Sequence, residues 1–389
     1  MTASARFARS FAALRMTVYI SSVHLYLHVP FCARRCSYCD FAIAVRREVP
    51  SEAYVDAVLR EWRLWQSDPV WDQSPEVQTI YFGGGTPSRI TPASVARVLA
   101  QIGADRAIAA DAEITLEANP EDVSPASAAA WRAAGVNRVS LGVQSFDPTV
   151  LQWMHRTHTA GQVPIAVEAL RSSGIEDLSL DLIFGLPAAL GRDWAVDLEL
   201  AFALEPEHLS LYGLTVEAHT PLGHWTERGE VTPVDEDRYA AEFLLAHSAL
   251  GAHGYEHYEI SNAGRPGHRA RHNSAYWRRA PFIGLGPAAH SGVGDERRWN
   301  VREWAAYQRL LEAGKSPLEG REFLDNAAVT LEELYLGLRT SEGLALHQVP
   351  APLTRQWEQA GWATERAGRV SLTAEGWLRL DALVPSIAA

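Results

Sequence analysis

The chain has 389 residues, which is long enough for two domains or for one large barrel with an appendage. Its formal net charge of -12 argues against nucleic-acid binding, and its three clustered cysteines argue against a disulfide-stabilised fold and for a reducing compartment. No segment approaches the roughly 20 apolar residues of a membrane span, so we expect a cytoplasmic protein.

The first residues stand apart in composition. Residues 1–15 contain three arginines and no acidic residue, which resembles a transit peptide. A translation start assigned too early, with Met16 as an alternative start, explains the same composition, and we favour that explanation. In either case we predict that residues 1–20 form a disordered or mis-started extension outside the fold.

From residue 24 onwards, short apolar segments alternate with helix-like segments. Helix boundaries are indicated by Ser51, Thr91 and Ser124 as N-caps and by Gly103 and Gly135 as helix ends. Alternating strands and helices favour a parallel sheet. We therefore predict an α/β fold, a partial (β/α)6 barrel of the TIM type, whose six strands lie at 24–29, 77–82, 113–118, 138–143, 178–184 and 208–214.

The remainder of the chain is predicted to extend the barrel and then to change character. A helix at 235–252, a strand at 255–260 and a polar segment up to about 300 complete the predicted barrel domain, residues 21–300. Residues 301–389 contain helices and a small hairpin, which predict a winged-helix-like α+β domain. Its polar faces mix both charge signs, so we do not expect it to bind DNA.

Unusual residues follow the carboxyl end of every predicted strand. The carboxyl ends of parallel barrel strands meet on one face, where catalytic and binding residues gather. Each feature alone is ordinary loop chemistry, but together they favour a ligand site. The features are Cys32, Cys36 and Cys39, the glycine-rich segment 83–88, Glu117, Gln144, Asp181 and Thr215.

The three cysteines have the spacing C-x₃-C-x₂-C, which lets their thiolates converge on one metal centre. Soft thiolates select zinc, copper(I) or an iron–sulfur cluster. Structural zinc sites usually need a second ligand pair, which this chain lacks. Iron–sulfur clusters usually take four protein ligands, so three cysteines favour a cluster with one iron open to an exogenous ligand. Bare glycine backbone and buried carboxylates suit a ligand with sugar hydroxyls and an ammonium group.

Six ordered motifs together resemble one known family. They are YLHVPFCARRCSYCDF, YFGGGTPS, LEANPED, RVSLGVQSF, DLIFGLP and HLSLYGLTVE. They are similar to the radical S-adenosylmethionine enzymes, and among these to the oxygen-independent coproporphyrinogen III oxidase group. The resemblance implies a [4Fe–4S] cluster on Cys32, Cys36 and Cys39, with S-adenosylmethionine on the open iron.

The resemblance also assigns contacts to S-adenosylmethionine by position in these motifs. The implied contacts are Tyr26, Tyr38, Gly84, Gly85, Thr86, Glu117, Gln144, Arg156, Asp181 and Thr215. Without the resemblance, Tyr26 would be interpreted as a core strand residue and Arg156 as a solvated helix residue.

Within this group the sequence is more similar to the HemW family of haem chaperones than to the oxidases. The oxidases carry a further cysteine where this chain has Phe41, and a longer extension than the roughly 20 residues that precede the first strand here. The chaperone family implies haem as cargo and haem-dependent acceptors such as respiratory enzymes. A homodimer and peripheral membrane contact through these acceptors stay open.

A haem ligand is implied by the segment HRARHNSAYW at residues 268–277. It is similar to a haem-associated stretch of the chaperones, and it makes His272 the predicted iron ligand, with His268 and His290 as rivals. An imidazole can ligate haem iron, aromatic side chains can cover a porphyrin, and arginines can pair with its propionates. The alternatives are an oxidase that decarboxylates coproporphyrinogen III to protoporphyrinogen IX by radical chemistry and a zinc-stabilised binding protein.

Overall fold

The computed structural model describes residues 22–73 and 75–388, so the predicted extension at 1–20 lies outside the described residues. Six strands lie side by side in sequence order, and each pairs in parallel with the next. This is the predicted parallel α/β core. The strands are β1 (Ser22–Val29), β2 (Glu76–Gly84), β3 (Ile108–Ala118), β4 (Arg138–Gln144), β5 (Asp177–Phe184) and β6 (His208–Gly213).

The crossover helices begin largely where the sequence predicted. The Thr91 side chain accepts a hydrogen bond from the Ser94 amide, and Ser124 forms a capping box with Ser127. The first helix instead begins after Pro50 without a side-chain cap, and the Ser51 hydroxyl accepts from the Thr91 amide. The helices are α1 (Ser51–Trp65), α2 (Pro92–Asp105), α3 (Pro125–Ala134), α4 (Pro148–Trp153), α5 (Gln162–Ser172) and α6 (Trp194–Phe202).

The segment after β6 is more structured than its polar composition predicted. It places one further strand in parallel beside β1, on the side opposite β2, and then continues the sheet with antiparallel strands. The elements are α7 (Pro221–Glu227), α8 (Glu236–Ala252), β7 (Glu256–Glu259), β8 (Asn262–Gly264), α9 (Arg271–Trp277), β9 (Phe282–Leu285), β10 (His290–Val293), β11 (Glu296–Asn300), α10 (Trp304–Glu312) and β12 (Leu318–Phe323).

The main sheet therefore passes the predicted domain boundary at residue 300, because β12 pairs with β11. Nearly every residue of β12 is exposed, so the strand has no apolar alternation that the sequence could reveal. A separate three-stranded sheet and four helices then form the small α+β unit. They are α11 (Asn326–Arg339), β13 (Leu344–Ala345), α12 (Ala351–Gln359), β14 (Ala363–Arg366), β15 (Arg369–Leu372), α13 (Ala374–Trp377) and α14 (Leu380–Ala388).

The length and hydropathy of the helices bear on membrane insertion. Within residues 22–73 and 75–388, no helix is both long enough and apolar enough to cross a bilayer.

A buried carboxylate joins the first crossover helix to the later strands. Glu61 on α1 is only 2% exposed. Its oxygens accept hydrogen bonds from the Gly286 amide at 2.8 Å, the Asn300 amide side chain at 2.6 Å and the Tyr307 hydroxyl at 2.5 Å. Burial raises the pKa of Glu61 to about 7. This one side chain therefore fixes the segment after β9, strand β11 and helix α10 against the barrel.

We expect Glu61→Ala to lower the free energy of unfolding by about 2–4 kcal/mol, because three buried donors lose their acceptor. Urea denaturation measures this. Glu52→Ala on the same helix is the control, since the Glu52 side chain is 71% exposed and forms only a surface ion pair with Arg97 at 3.0 Å and a long hydrogen bond with the Ser94 hydroxyl at 3.5 Å among the described residues. We expect the control to change stability by less than about 1 kcal/mol.

The pH dependence gives an independent check on Glu61. The folded pKa of about 7 exceeds the ordinary glutamate pKa of 4.5, so between these values the folded state keeps a proton that the unfolded state has released. The contribution of Glu61 to stability should therefore fall as pH rises through this window, and Glu61→Gln should remove that slope. An unchanged slope in Glu61→Gln would show that another group causes it.

Candidate functional site

One cavity of about 400 Å³ lies at the carboxyl ends of the parallel strands. The three cysteines and nine of the ten predicted S-adenosylmethionine contacts line it, although they come from separate segments of the chain. The predicted residues in this cavity, which we call the strand-end cavity, are Cys32, Cys36, Tyr38, Cys39, Gly84, Gly85, Thr86, Glu117, Gln144, Arg156, Asp181 and Thr215.

The cysteine loop is closed by a short pair of parallel strands, Phe31–Cys32 with Ala44–Val45. Thr86 donates a hydrogen bond to the Cys32 sulfur at 3.4 Å. The Arg156 guanidinium donates to the Cys36 sulfur at 3.7 Å. These contacts hold the sulfurs of Cys32 and Cys36 on the cavity wall.

The cysteine sulfurs are near one another without forming a ready ion site. Among the described residues, no group of three or more His, Cys, Asp or Glu side chains is arranged to hold a metal ion. Burial raises the pKa of Cys32 to about 11, so this thiol needs a bound cation to become a ligand near neutral pH. The chemistry of the donors fits a soft, thiolate-binding centre such as the implied cluster.

The glycine segment lies against the cysteine loop at a distance that only glycine permits. A Cβ atom at Gly84 would lie 2.7 Å from the His28 ring, and one at Gly85 would lie 2.9 Å from the Pro30 backbone and 3.0 Å from the Cys32 sulfur. The two amides are already used, since Gly84 donates to Glu117 and Gly85 donates to the Val29 carbonyl. The main role of the two glycines is therefore to let their segment pack closely against the cysteine loop, because their amides are not free donors.

Two carboxylates extend the strand-end cavity across the sheet. Glu117 on β3 accepts from the Tyr81 hydroxyl at 2.8 Å and from the Gly84 amide at 3.0 Å. Asp181 on β5 accepts from the Ser140 hydroxyl at 2.8 Å. Burial raises the pKa of Glu117 to about 7 and that of Asp181 to about 6. Each keeps acceptor capacity for a ligand hydroxyl or ammonium group, as the nucleoside and amino acid of S-adenosylmethionine require.

Arg156 links the strands to the cysteine loop. It donates to the Asn119 side chain at 2.6 Å and to the Gly142 carbonyl at 2.7 Å. Its Nε atom is buried and has no partner among the described residues. Because a buried donor is rarely left unpaired, this group fits a ligand acceptor in the cavity.

The cavity is also lined by residues that were not predicted as ligand contacts, among them Asn119, Ser140 and Tyr212. Asn119 lies inside the motif LEANPED, two residues after Glu117. Ser140 lies on β4 at a spacing of two residues from Gly142, and Gln144 follows at the same spacing. Because side chains two apart on a strand share a face, this spacing could have indicated Ser140 as a cavity residue. Tyr212 is exposed near the end of β6 and carried no such signal.

Tyr26 and His272 lie apart from the strand-end cavity. Tyr26 lines a neighbouring cavity of about 530 Å³, where its hydroxyl bonds to the His28 ring at 3.1 Å. His272 is 1% exposed, and its ring nitrogens bond to the Thr79 hydroxyl at 2.6 Å and the Tyr276 hydroxyl at 2.7 Å. Both nitrogens of the predicted haem ligand are therefore engaged within the protein.

We expect Gly85→Ala to lower the iron retained per chain after anaerobic reconstitution. The added Cβ would press on the Pro30 backbone and displace the loop that carries Cys32. Iron and sulfide analysis measures the effect. Gly103→Ala is the control, because its Cβ would meet only the Ile108 side chain at 3.5 Å, and we expect it to retain full iron content. Full iron content in Gly85→Ala would contradict this account of the loop.

Known proteins and a protein family are similar to this chain. The Radical SAM superfamily model matches residues 26–201. The chain is 37% identical to the haem chaperone HemW of Synechocystis over 86% of this chain and 82% of that protein. It is 34% identical to HemW of Escherichia coli over 94% of this chain and 98% of that protein.

A solved structure shares the fold. Coproporphyrinogen III oxidase (HemN) from Escherichia coli, described as a radical SAM enzyme, superposes with a TM-score of 0.76 at 22% identity, over 94% of this chain and 90% of that one. At that identity the likeness establishes the fold alone. The identities to the haem chaperones extend over most of both chains, and the chain therefore belongs to the HemW family within the radical SAM superfamily.

Proposed function

We propose that this protein is a haem chaperone, which binds haem and transfers it to haem-dependent proteins while holding a [4Fe–4S] cluster and S-adenosylmethionine. The observation that carries the proposal is the similarity to HemW proteins over more than four fifths of both chains. The geometry supports it with two adjacent cavities, one lined by thiols and carboxylates and one lined by aromatic rings and arginines.

In this proposal Cys32, Cys36 and Cys39 hold the cluster. Together with S-adenosylmethionine, the cluster supplies the one-electron chemistry of the superfamily when bound. Thr86 orients the Cys32 sulfur through its hydrogen bond, and the Arg156 cation stabilises negative charge on the Cys36 sulfur.

S-adenosylmethionine is proposed to lie along the remaining wall of the strand-end cavity. Glu117 and Asp181 accept hydrogen bonds from its hydroxyl or ammonium groups, and the unpartnered Nε of Arg156 donates to an acceptor. Gly84 and Gly85 let the ligand approach the backbone closely, while Tyr38 and Thr215 contribute the other wall.

The second candidate function is the radical decarboxylation of coproporphyrinogen III. The motif resemblance to the coproporphyrinogen III oxidase group favours it. Phe41 weighs against it, because this residue occupies the position where the oxidases carry a further cysteine, and its side chain is 64% exposed at the cavity mouth.

We expect anaerobically reconstituted protein to bind haem, with a stable Soret band, and to form no protoporphyrinogen at catalytic turnover from coproporphyrinogen III, S-adenosylmethionine and a reductant. Haem titration and product chromatography measure the two outcomes. Catalytic formation of protoporphyrinogen would overturn the chaperone-only function. Absence of haem binding would overturn the chaperone function itself.

We expect Glu117→Gln to weaken S-adenosylmethionine binding about tenfold or more, because the amide is a poorer acceptor than the carboxylate. Since the carboxylate ionises near pH 7, the affinity of the unmodified protein should rise as pH rises through about 7, and the variant should lose this dependence. Equilibrium dialysis of reconstituted protein measures it.

The control for this experiment is Glu199→Gln, whose side chain is 68% exposed on α6. It should bind S-adenosylmethionine like the unmodified protein. Equal affinity and equal pH dependence in Glu117→Gln would remove Glu117 from the binding site.

A further inference from the structure

We propose that haem binds in the cavity of about 530 Å³ that Tyr26 lines. In this proposal His290 rather than His272 is an axial iron ligand, and Tyr276 and Trp277 form part of the cavity wall. This inference rests on the proposed haem-chaperone function and gives that function a site. We call the cavity the β10 cavity, after the strand on which His290 lies.

The lining of the β10 cavity matches the chemistry of haem, which is a flat aromatic ring with a central iron and two carboxylates. Its volume of about 530 Å³ lies within the range of about 300–1,000 Å³ that is usual for small-molecule sites. Aromatic side chains supply flat apolar contact and arginines supply cations. The aromatic residues are Tyr26, Phe41, Tyr276, Trp277 and Phe282, and the arginines are Arg279, Arg297 and Arg302.

His290 has the features of an available iron ligand. It is the first residue of β10, its side chain is exposed, and it lines the cavity. Its ring stacks on Trp299 of the paired strand, with ring centroids 6.2 Å apart, which holds the imidazole in place. No residue in the described part of the chain forms a hydrogen bond with its ring nitrogens, so either nitrogen is free to bind iron.

His272 is placed for a different role. Its two hydrogen bonds join strand β2, through Thr79, to Tyr276 on the same helix. Residues four apart on a helix are neighbours, so His272 positions the Tyr276 hydroxyl from behind the cavity wall. To bind iron, the ring would have to give up both bonds and leave a site where it is 1% exposed. His272 is therefore a positioning residue in this account.

Arg302 is the arginine best placed for a propionate. It donates to the Asp40 carbonyl at 2.9 Å, and its side chain is 62% exposed. Arg279 and Arg297 are more occupied, because both bond to the Glu332 carboxylate at 2.6 Å. A haem carboxylate can thus pair with Arg302 without breaking a close ion pair, since Arg302 lies 3.8 Å from the Asp40 carboxylate.

The two cavities share a wall. Asp40 and Phe41, which follow Cys39 directly, line both the strand-end cavity and the β10 cavity. Haem in the β10 cavity would therefore lie next to the cysteine loop, with the exposed Phe41 ring available to cover the porphyrin face.

The test compares haem binding to full-length His290→Ala, His272→Ala and unmodified protein by Soret titration and resonance Raman spectroscopy. Removing a residue that hydrogen-bonds a metal ligand typically weakens metal binding about tenfold to a hundredfold. Removing the iron ligand itself should weaken haem binding at least as much. We expect His290→Ala to weaken haem binding to this extent and to change the Soret band, and added imidazole to restore it. His224→Ala, an exposed histidine on α7, is the control and should bind haem normally.

For His272→Ala we expect a lower melting temperature. The folded fraction should keep the Soret band and the resonance Raman bands of the iron ligand unchanged. Arg302→Ala should weaken binding of haem but not of haem dimethyl ester, which lacks free carboxylates. If His290→Ala binds haem with unchanged affinity and spectrum, the site assignment is overturned while the chaperone function stands. If the unmodified protein binds no haem, the site and the chaperone function both fail.

Discussion

The close approach of strands β1 and β2 at their carboxyl ends is the constraint on which both cavities depend. A Cβ atom at Gly83 would lie 2.8 Å from the rings of Tyr26 and Tyr81, and one at Gly84 would lie 2.7 Å from the ring of His28. Without side chains at these positions, the two strands can remain paired to their ends, at Val29 and Gly84. Tyr26 and His28 can then line one cavity while the glycine loop lines the other.

Burial of polar groups is the second condition of this architecture. Glu61, Glu117 and Asp181 lie in surroundings that raise their pKa values, because burial disfavours the charged carboxylate. Such groups cost free energy unless they are hydrogen-bonded, and each of the three accepts hydrogen bonds from neighbouring side chains or amides. The Glu61 carboxylate accepts its hydrogen bonds from within the protein and thereby stabilises the fold. Glu117 and Asp181 lie at the strand-end cavity and keep acceptor capacity for a ligand.

The shared wall between the cavities connects the two ligands of the proposed function. Phe41 lies at the position where the similar oxidases have a further cysteine, and here it borders both cavities with an exposed ring. An apolar ring at that point suits a neighbouring porphyrin, whereas a thiol would suit chemistry at the cluster. Compared with those oxidases, this chain therefore lacks a reactive thiol at this position and has an apolar contact surface on the side of the β10 cavity.

The sequence by itself determined the six parallel strands, the helix starts at Thr91 and Ser124 and the convergence of the cysteines with Glu117 and Asp181. Local patterns suffice for these, because parallel strands bring their carboxyl ends to one edge whatever the details of packing. Only the tertiary structure decided three further features. They are the cavity that Tyr26 lines, the strands after residue 280 and the hydrogen bonds that occupy both ring nitrogens of His272. The role of a histidine depends on its partners, and Thr79, which binds the His272 ring, is 193 residues away along the chain. No local pattern contains that contact.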